Sequence, residues 1–361
     1  MSDGTAISWS DATWSPVTGC TKTSEGCTHC YIDRTPPFRM AHRKFDGDHV
    51  GATTGVQLHS ERLGIPMKWR KPRRIFVCSL ADLFQDEVPT AFIAEVFAVM
   101  SLAPQHSFQV LTKRHARMRA LLNSPEFWQA VDQARGVRGY EALPAGTNYL
   151  PNAWIGVSTE SQKWADIRIP ALLDTPAAVR WISAEPLLGP VDLGSWLKDP
   201  VFNPAYRVAR CGQRSSHGPH VVEHGPDQPR NCPGTSGRTY RPRRLDWVVC
   251  GGESGPKARP MHPHWARQLR DQCVEAGVAF HYKQHGEWAA TTEAITADDS
   301  RTLALHPAGM VALTADNPFD PFAVGHPYWE ALRRVGKKAA GRELDGRTWD
   351  EYPTAPVAVT A

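Results

Sequence analysis

Long apolar runs are missing from this chain. No stretch reaches the roughly eighteen consecutive apolar residues of a spanning helix, so no membrane anchor is expected. The start, Met-Ser-Asp-Gly-Thr, has no basic stretch leading into an apolar run, so a secretory signal is not expected either. Cysteine is scarce, with eight in 361 residues. They stand at 20, 27, 30, 78, 211, 232, 250 and 273, too unevenly for a secreted disulfide framework. A reducing, cytoplasmic setting is the expectation. Charge of one sign is lacking too, and a net of +4 identifies no partner by itself. The segment Gly251-Gly-Glu-Ser-Gly-Pro256 lacks the Lys-Ser/Thr ending of a phosphate loop and the full dinucleotide glycine pattern. No nucleophile elbow is present.

Three of the few cysteines are concentrated in Trp14-Ser-Pro-Val-Thr-Gly-Cys20 and Gly26-Cys-Thr-His-Cys-Tyr31. A structural zinc site is normally closed by four protein ligands. An iron–sulfur cluster held by three thiolates instead leaves one iron free for a small molecule. Gly19 and Gly26 precede the first two cysteines, which suits a tight loop around an inorganic guest. The triplet is open to three readings: a cluster, zinc with His29 or a remote fourth ligand, or free thiols.

With 41% hydrophobic residues the chain can bury a full core as one large domain or two smaller ones. Apolar runs at 75–79, 107–112, 153–158, 179–185, 245–252 and 278–284 predict strands, with a weaker first strand at 6–9. Their lack of alternation suits strands covered on both faces. Helices are predicted at 90–102, 116–122, 125–134 and 262–277, and another over Tyr328 to Val335. This alternation predicts an α/β fold, a partial (βα) barrel of six or seven strands resembling a TIM barrel, with an open doubly wound sheet as the alternative. Nearly every predicted strand ends in polar residues: Ser79 and Asp82, Thr112 and Lys113, Ser158 and Glu160, Ser183 and Glu185, Gly251 to Ser254, and Lys283 with Gln284. In such barrels the C-terminal strand ends form the active-site rim.

The barrel is assigned to 1–197 and 245–290, with an insertion at 198–244 and a C-terminal extension at 291–361 packing back on it. Cys211, His217, His220, His224 and Cys232 in the insertion are candidates for zinc, a flexible loop being the alternative. Basic clusters with aromatics at 68–74, 113–117 and 238–244 are compatible with DNA or RNA, or with solvated loops.

The triplet ahead of a βα barrel resembles a radical S-adenosylmethionine (radical SAM) enzyme. The usual pattern there has spacings of three and two with an aromatic before the last cysteine. This chain has six and two, with His29 at that position. More closely, the chain resembles a three-cysteine family of largely unknown function encoded by phages and bacteria. The blocks that carry this are those above with Ser79-Leu-Ala-Asp-Leu-Phe84, Leu111-Thr-Lys-Arg114, Ser183-Ala-Glu-Pro-Leu-Leu-Gly189, Gly251-Gly-Glu-Ser-Gly255 and Arg259-Pro-Met261. The resemblance implies that Cys20, Cys27 and Cys30 hold a [4Fe-4S] cluster whose fourth iron takes S-adenosyl-L-methionine. Ser79 and Asp82 would meet its ammonium, Ser158 and Glu160 its ribose, and Gly251 and Gly252 the adenine or methionyl part, with Glu253 alongside. Lys113, Glu185, Glu253, Arg259 and Lys283 would contact substrate or a carboxylate. A low-potential electron donor of flavodoxin or ferredoxin type is implied, and the expected substrate is a nucleic acid or nucleotide. The alternative is a zinc-binding, non-catalytic nucleic-acid-binding protein.

Overall fold

Seven short runs rich in β-branched and aromatic residues form one parallel sheet. They are β1 (Ala12–Trp14), β2 (Arg74–Val77), β3 (Ser107–Thr112), β4 (Ala153–Ser158), β5 (Val179–Ala184), β6 (Trp247–Gly251) and β7 (Ala279–Gln284). The structure, a computed structural model, describes residues 4–198, 208–215, 218–223, 244–292, 301–309, 311–312 and 329–354. Strand neighbours follow chain order without a reversal. A doubly wound sheet needs such a reversal, which removes that alternative. Right-handed crossovers in unbroken order keep the helices on one side, and the sheet curls into a half-barrel with β1 and β7 at its edges.

The helices are α1 (Thr90–Ser101), α2 (His115–Leu122), α3 (Pro125–Val137), α4 (Gln162–Leu173) and α5 (Pro263–Ala276). Ser124 caps α3 by accepting from Phe127 N, and Gly277 at φ +62° ends α5 in the left-handed region. None of the described helices is long and apolar enough to cross a membrane. The outer side chains of the strands, including Ile75, Val77, Phe108, Val110, Ile155, Ile182, Val248 and Phe280, join the helices in the main core.

Alternate residues point the other way. Phe76, Trp154, Val179, Trp181, Trp247 and Val249 gather with Trp9 on the concave face. Trp181 lies 5.3 Å from Trp9 and 5.1 Å from Trp247 between ring centroids. Gly156 makes this possible, because a Cβ there would stand 2.5 Å from the Trp181 indole. The result is an aromatic floor inside the half-barrel.

Two expectations are corrected. The first strand is 12–14 rather than 6–9, and Trp9 belongs to the floor. The segment expected as a helix over 328–335 contains a strand, β11 (Glu330–Arg334), in an antiparallel sheet with β8 (Trp288–Ala290), β9 (Thr302–Leu305) and β10 (Val311–Ala312). Only Leu332 of β11 is buried, opposite Leu303, a single inward residue that suits a strand better than a helical stripe. Within the insertion, Val208–Ser215 and Gly218–Glu223 pair as a hairpin. Cys211 and His220 lie on it, whereas His217, His224 and Cys232 fall outside the described residues.

The two ends of the described chain bridge the gap between β1 and β7. Ser8 Oγ lies 2.9 Å from His281 Nε2, and Tyr352 donates to the Ser8 carbonyl at 3.2 Å. Tyr282 N donates to Trp349 O at 2.9 Å, and Trp247 Nε1 to Glu351 O at 2.9 Å. His281 is wholly buried in this seam. Burial pushes its imidazole down to about 4, with Arg342 and Lys283 acting the same way and Asp350 and Glu185 opposing. The unfolded imidazole titrates near 6.5, so this contribution to stability is complete above about pH 6.5 and is lost as pH falls toward about 4. Urea unfolding between pH 7.5 and 5 should show wild type losing about 1–3 kcal/mol more than His281→Asn over that range. Parallel pH profiles for the two proteins would contradict this.

Candidate functional site

The cysteine loop leaves β1 and lies across the C-terminal ends of the strands. Gly19 has φ +96°, and a Cβ there would stand 1.6 Å from the Gly55 carbonyl oxygen, so no other residue fits without a shift of backbone. Gln85 Nε2 donates to Gly19 O at 2.8 Å, Gly19 N to Leu80 O at 2.9 Å, and Cys20 N to Thr54 Oγ1 at 3.0 Å. Cys27 ends a single 3-10 turn, Glu25–Cys27. Its sulfur has the Thr23 and Ser24 hydroxyls at 3.8 and 3.9 Å. Cys30 N donates to Cys27 O at 3.2 Å. All three thiols are free and half-buried.

The three thiols differ electrostatically. Burial pushes Cys20 well up, reinforced by Asp82 and by the charges of Cys30 and Cys27. Burial also raises Cys30, to about 11. Cys27 moves the other way. Burial opposes its ionisation, but the Lys113 ammonium and hydrogen bonds from Thr23 and Ser24 bring it below the ordinary thiol value. Lys113 acts on Cys27, Cys30 and Glu160 alike.

Several residues expected to bind ligand are used inside the protein. Asp82 accepts from Thr112 Oγ1 at 2.7 Å, Lys113 N at 2.8 Å and Phe84 N at 3.0 Å. It fixes the end of β3 and positions Lys113. Glu160 is fully buried. One oxygen accepts from Ser24 Oγ and the other from Arg168 Nη1 at 2.8 Å, so both are engaged within the protein. Arg168 also holds the Ser158 carbonyl at 2.9 Å. Glu253 is gripped by Arg259 through two contacts of 2.7 and 2.9 Å, by the Arg259 backbone N–H, and by His29 at 3.2 Å. Burial opposes its charge, yet Arg259 and His29 hold its carboxyl low. The space beside Gly252 is filled by the His285 carbonyl, 1.9 Å from where a Cβ would stand. Its freedom serves the close packing of this strand end.

The remaining candidates face the rim. Lys283 pairs with Glu185 at 2.9 Å, and Ser183 donates to Glu185 at 3.2 Å. A Cβ at Gly251 would lie 2.9 Å from the Glu185 carboxylate. The half-exposed Tyr31 donates to the Ser79 carbonyl and feels the charges of Cys30, Glu185 and Cys20. The sequence reading missed Ser24, Tyr31, Gln85 and Arg168. For Arg168 a signal exists: it occupies the buried stripe of α4 with Ala165, Ile169 and Leu172, where a lone charge needs a buried partner.

The basic clusters are placed differently. In 113–117, Lys113 acts on the thiols, while Arg114 donates to Thr21 O at 3.0 Å and Arg117 to Val88 O at 2.7 Å. Arg74 pairs with Asp11 at 2.8 Å. Lys68, Arg70 and Lys71 are exposed but precede β2, at the opposite end of the sheet. Most of 238–244 lies outside the described residues. Among the described residues, no three His, Cys, Asp or Glu side chains converge as ligands of one metal ion.

Residues 4–353 match the family described as "Protein of unknown function (DUF5131)". This is nearly the whole chain, and the protein belongs to that family. No curated protein and no solved structure matches it.

Replacing Arg168 by Met should leave the Glu160 charge buried without its partner and cost about 3–5 kcal/mol. Urea denaturation of the full chain measures this, and a loss below about 1 kcal/mol would show that the pair is not needed.

Proposed function

We propose that the protein is a radical SAM-type enzyme whose [4Fe-4S] cluster is held by Cys20, Cys27 and Cys30 at the rim of the half-barrel. The observation that carries this reading is one loop bringing three thiols together beside Lys113, over a strand-end rim with its own Glu185–Lys283 pair. Three thiolates from one loop suit a cluster, which takes them on three separate irons and leaves the fourth iron for a small molecule, whereas a structural zinc needs a fourth protein ligand. His29, the obvious fourth ligand for zinc, is turned to Glu253.

When bound, the cluster and S-adenosyl-L-methionine would supply reductive cleavage of the sulfonium S–C5′ bond. That chemistry would draw one electron from a flavodoxin- or ferredoxin-type donor and supply a 5′-deoxyadenosyl radical for hydrogen abstraction from substrate. The chain's own residues do the rest. Lys113 favours ionised Cys27 and offers a cation to a carboxylate. Glu185 and Lys283 present a charged pair to whatever enters the rim. The tryptophan floor closes the concave face from below and excludes water from that side. The exposed Lys68, Arg70 and Lys71 precede β2 at the far end of the sheet, so they lend no support to DNA or RNA as substrate.

Anaerobically reconstituted protein should be brown and, with dithionite and S-adenosyl-L-methionine, should release 5′-deoxyadenosine. Cys27→Ala should lose both colour and product. Running the assay with DNA and with RNA asks whether either raises turnover or becomes modified. A colourless protein with one equivalent of zinc, or full product release from Cys27→Ala, would overturn the reading.

A further inference from the structure

We infer that the buried Ser24–Glu160–Arg168 relay positions the cysteine loop and supplies the negative charge that offsets Lys113 and Arg168 beside the thiols. The inference deepens the cluster reading above and rests on it. Ser24 occupies the N-cap of the Glu25–Cys27 turn yet makes no capping hydrogen bond. A serine there ordinarily accepts from the turn's own N–H groups. This one donates to Glu160 Oε1, 136 residues away in sequence, so its commitment is to the barrel.

The grip extends over three consecutive residues. Glu25 accepts from Trp164 Nε1 at 2.7 Å and Ser161 Oγ at 3.1 Å. A Cβ on Gly26 would stand 2.9 Å from the Glu160 carboxyl carbon, so that backbone lies directly on the carboxylate. Trp164 also lies 3.9 Å from the Arg168 guanidinium carbon. Residues 24 to 26 are therefore held by α4 and the turn leading into it, and Cys27 follows immediately.

Charge gives the relay a second consequence. Lys113 and Arg168, both positive, act on Cys27, and the negative Glu160 acts on both of them. Neutralising Glu160 leaves an excess positive charge in a poorly screened interior, which favours adding an electron nearby.

The test uses the full chain as wild type, Glu160→Gln and Ser24→Ala, with folding checked by circular dichroism. Glutamine keeps the volume and an oxygen that can accept from Ser24. After anaerobic reconstitution with iron and sulfide, Glu160→Gln should show a higher midpoint potential. A tenfold shift in the reduction equilibrium corresponds to about 59 mV for one electron. In the metal-free protein, Ser24→Ala should let iodoacetamide label Cys27 about tenfold faster, as expected for losing a hydrogen bond to a charged group. A wild-type potential in Glu160→Gln would overturn the charge role, and wild-type labelling in Ser24→Ala the positioning role. If wild type takes up no cluster, the cluster reading fails, while the labelling experiment still decides the clamp.

Discussion

Glu160 and Arg168 are opposite charges with no access to solvent, and the arrangement of the candidate site hangs on their pairing. Burying either charge alone is costly, so the pair constrains everything it touches. Arg168 fixes the Ser158 carbonyl at the end of β4, while Glu160 reaches the cysteine loop through Ser24 and Gly26. A loop of glycines, serines and threonines has little apolar surface with which to order itself. Here its geometry is imposed by a carboxylate supplied from the barrel. Asp82 does the same for Lys113 from the other side.

The half-barrel explains why these groups meet. Unreversed strand order puts the helices outside and leaves the concave face to alternate strand residues. Low on that face the residues are tryptophans that fill it. Higher up they become Ser158, Ser183 and Lys283, and the turns beyond the strands supply Glu160, Glu185 and Glu253. An apolar floor beneath a charged rim is the division expected of a site that binds at its mouth and keeps water from below.

Much of this was legible in the sequence. The strands from 74 onward and the helices near 90, 125 and 263 announced themselves by composition and by proline and glycine punctuation. The cysteine triplet stood out because cysteine is otherwise scarce. What stayed hidden depends on contacts between distant segments. The three-residue β1 has too few residues for a pattern, and Ala6 to Trp9 looked more strand-like although Trp9 is there to fill the floor. The 330–334 strand borrows its conformation from pairing with 302–305, which local propensity cannot reveal. Asp82, Glu160 and Glu253 looked like ligand-binding groups from their places at strand ends. Their partners, Thr112, Arg168 and Arg259, were visible as residues, but the pairings were not.

Electron paramagnetic resonance of the dithionite-reduced, anaerobically reconstituted protein tests the central claim most directly, recorded with and without S-adenosyl-L-methionine. The account predicts an iron–sulfur signal that requires Cys20, Cys27 and Cys30 and changes shape when S-adenosyl-L-methionine is added, because one iron has no protein ligand. A signal indifferent to S-adenosyl-L-methionine, or protein that binds zinc and no iron, would contradict it.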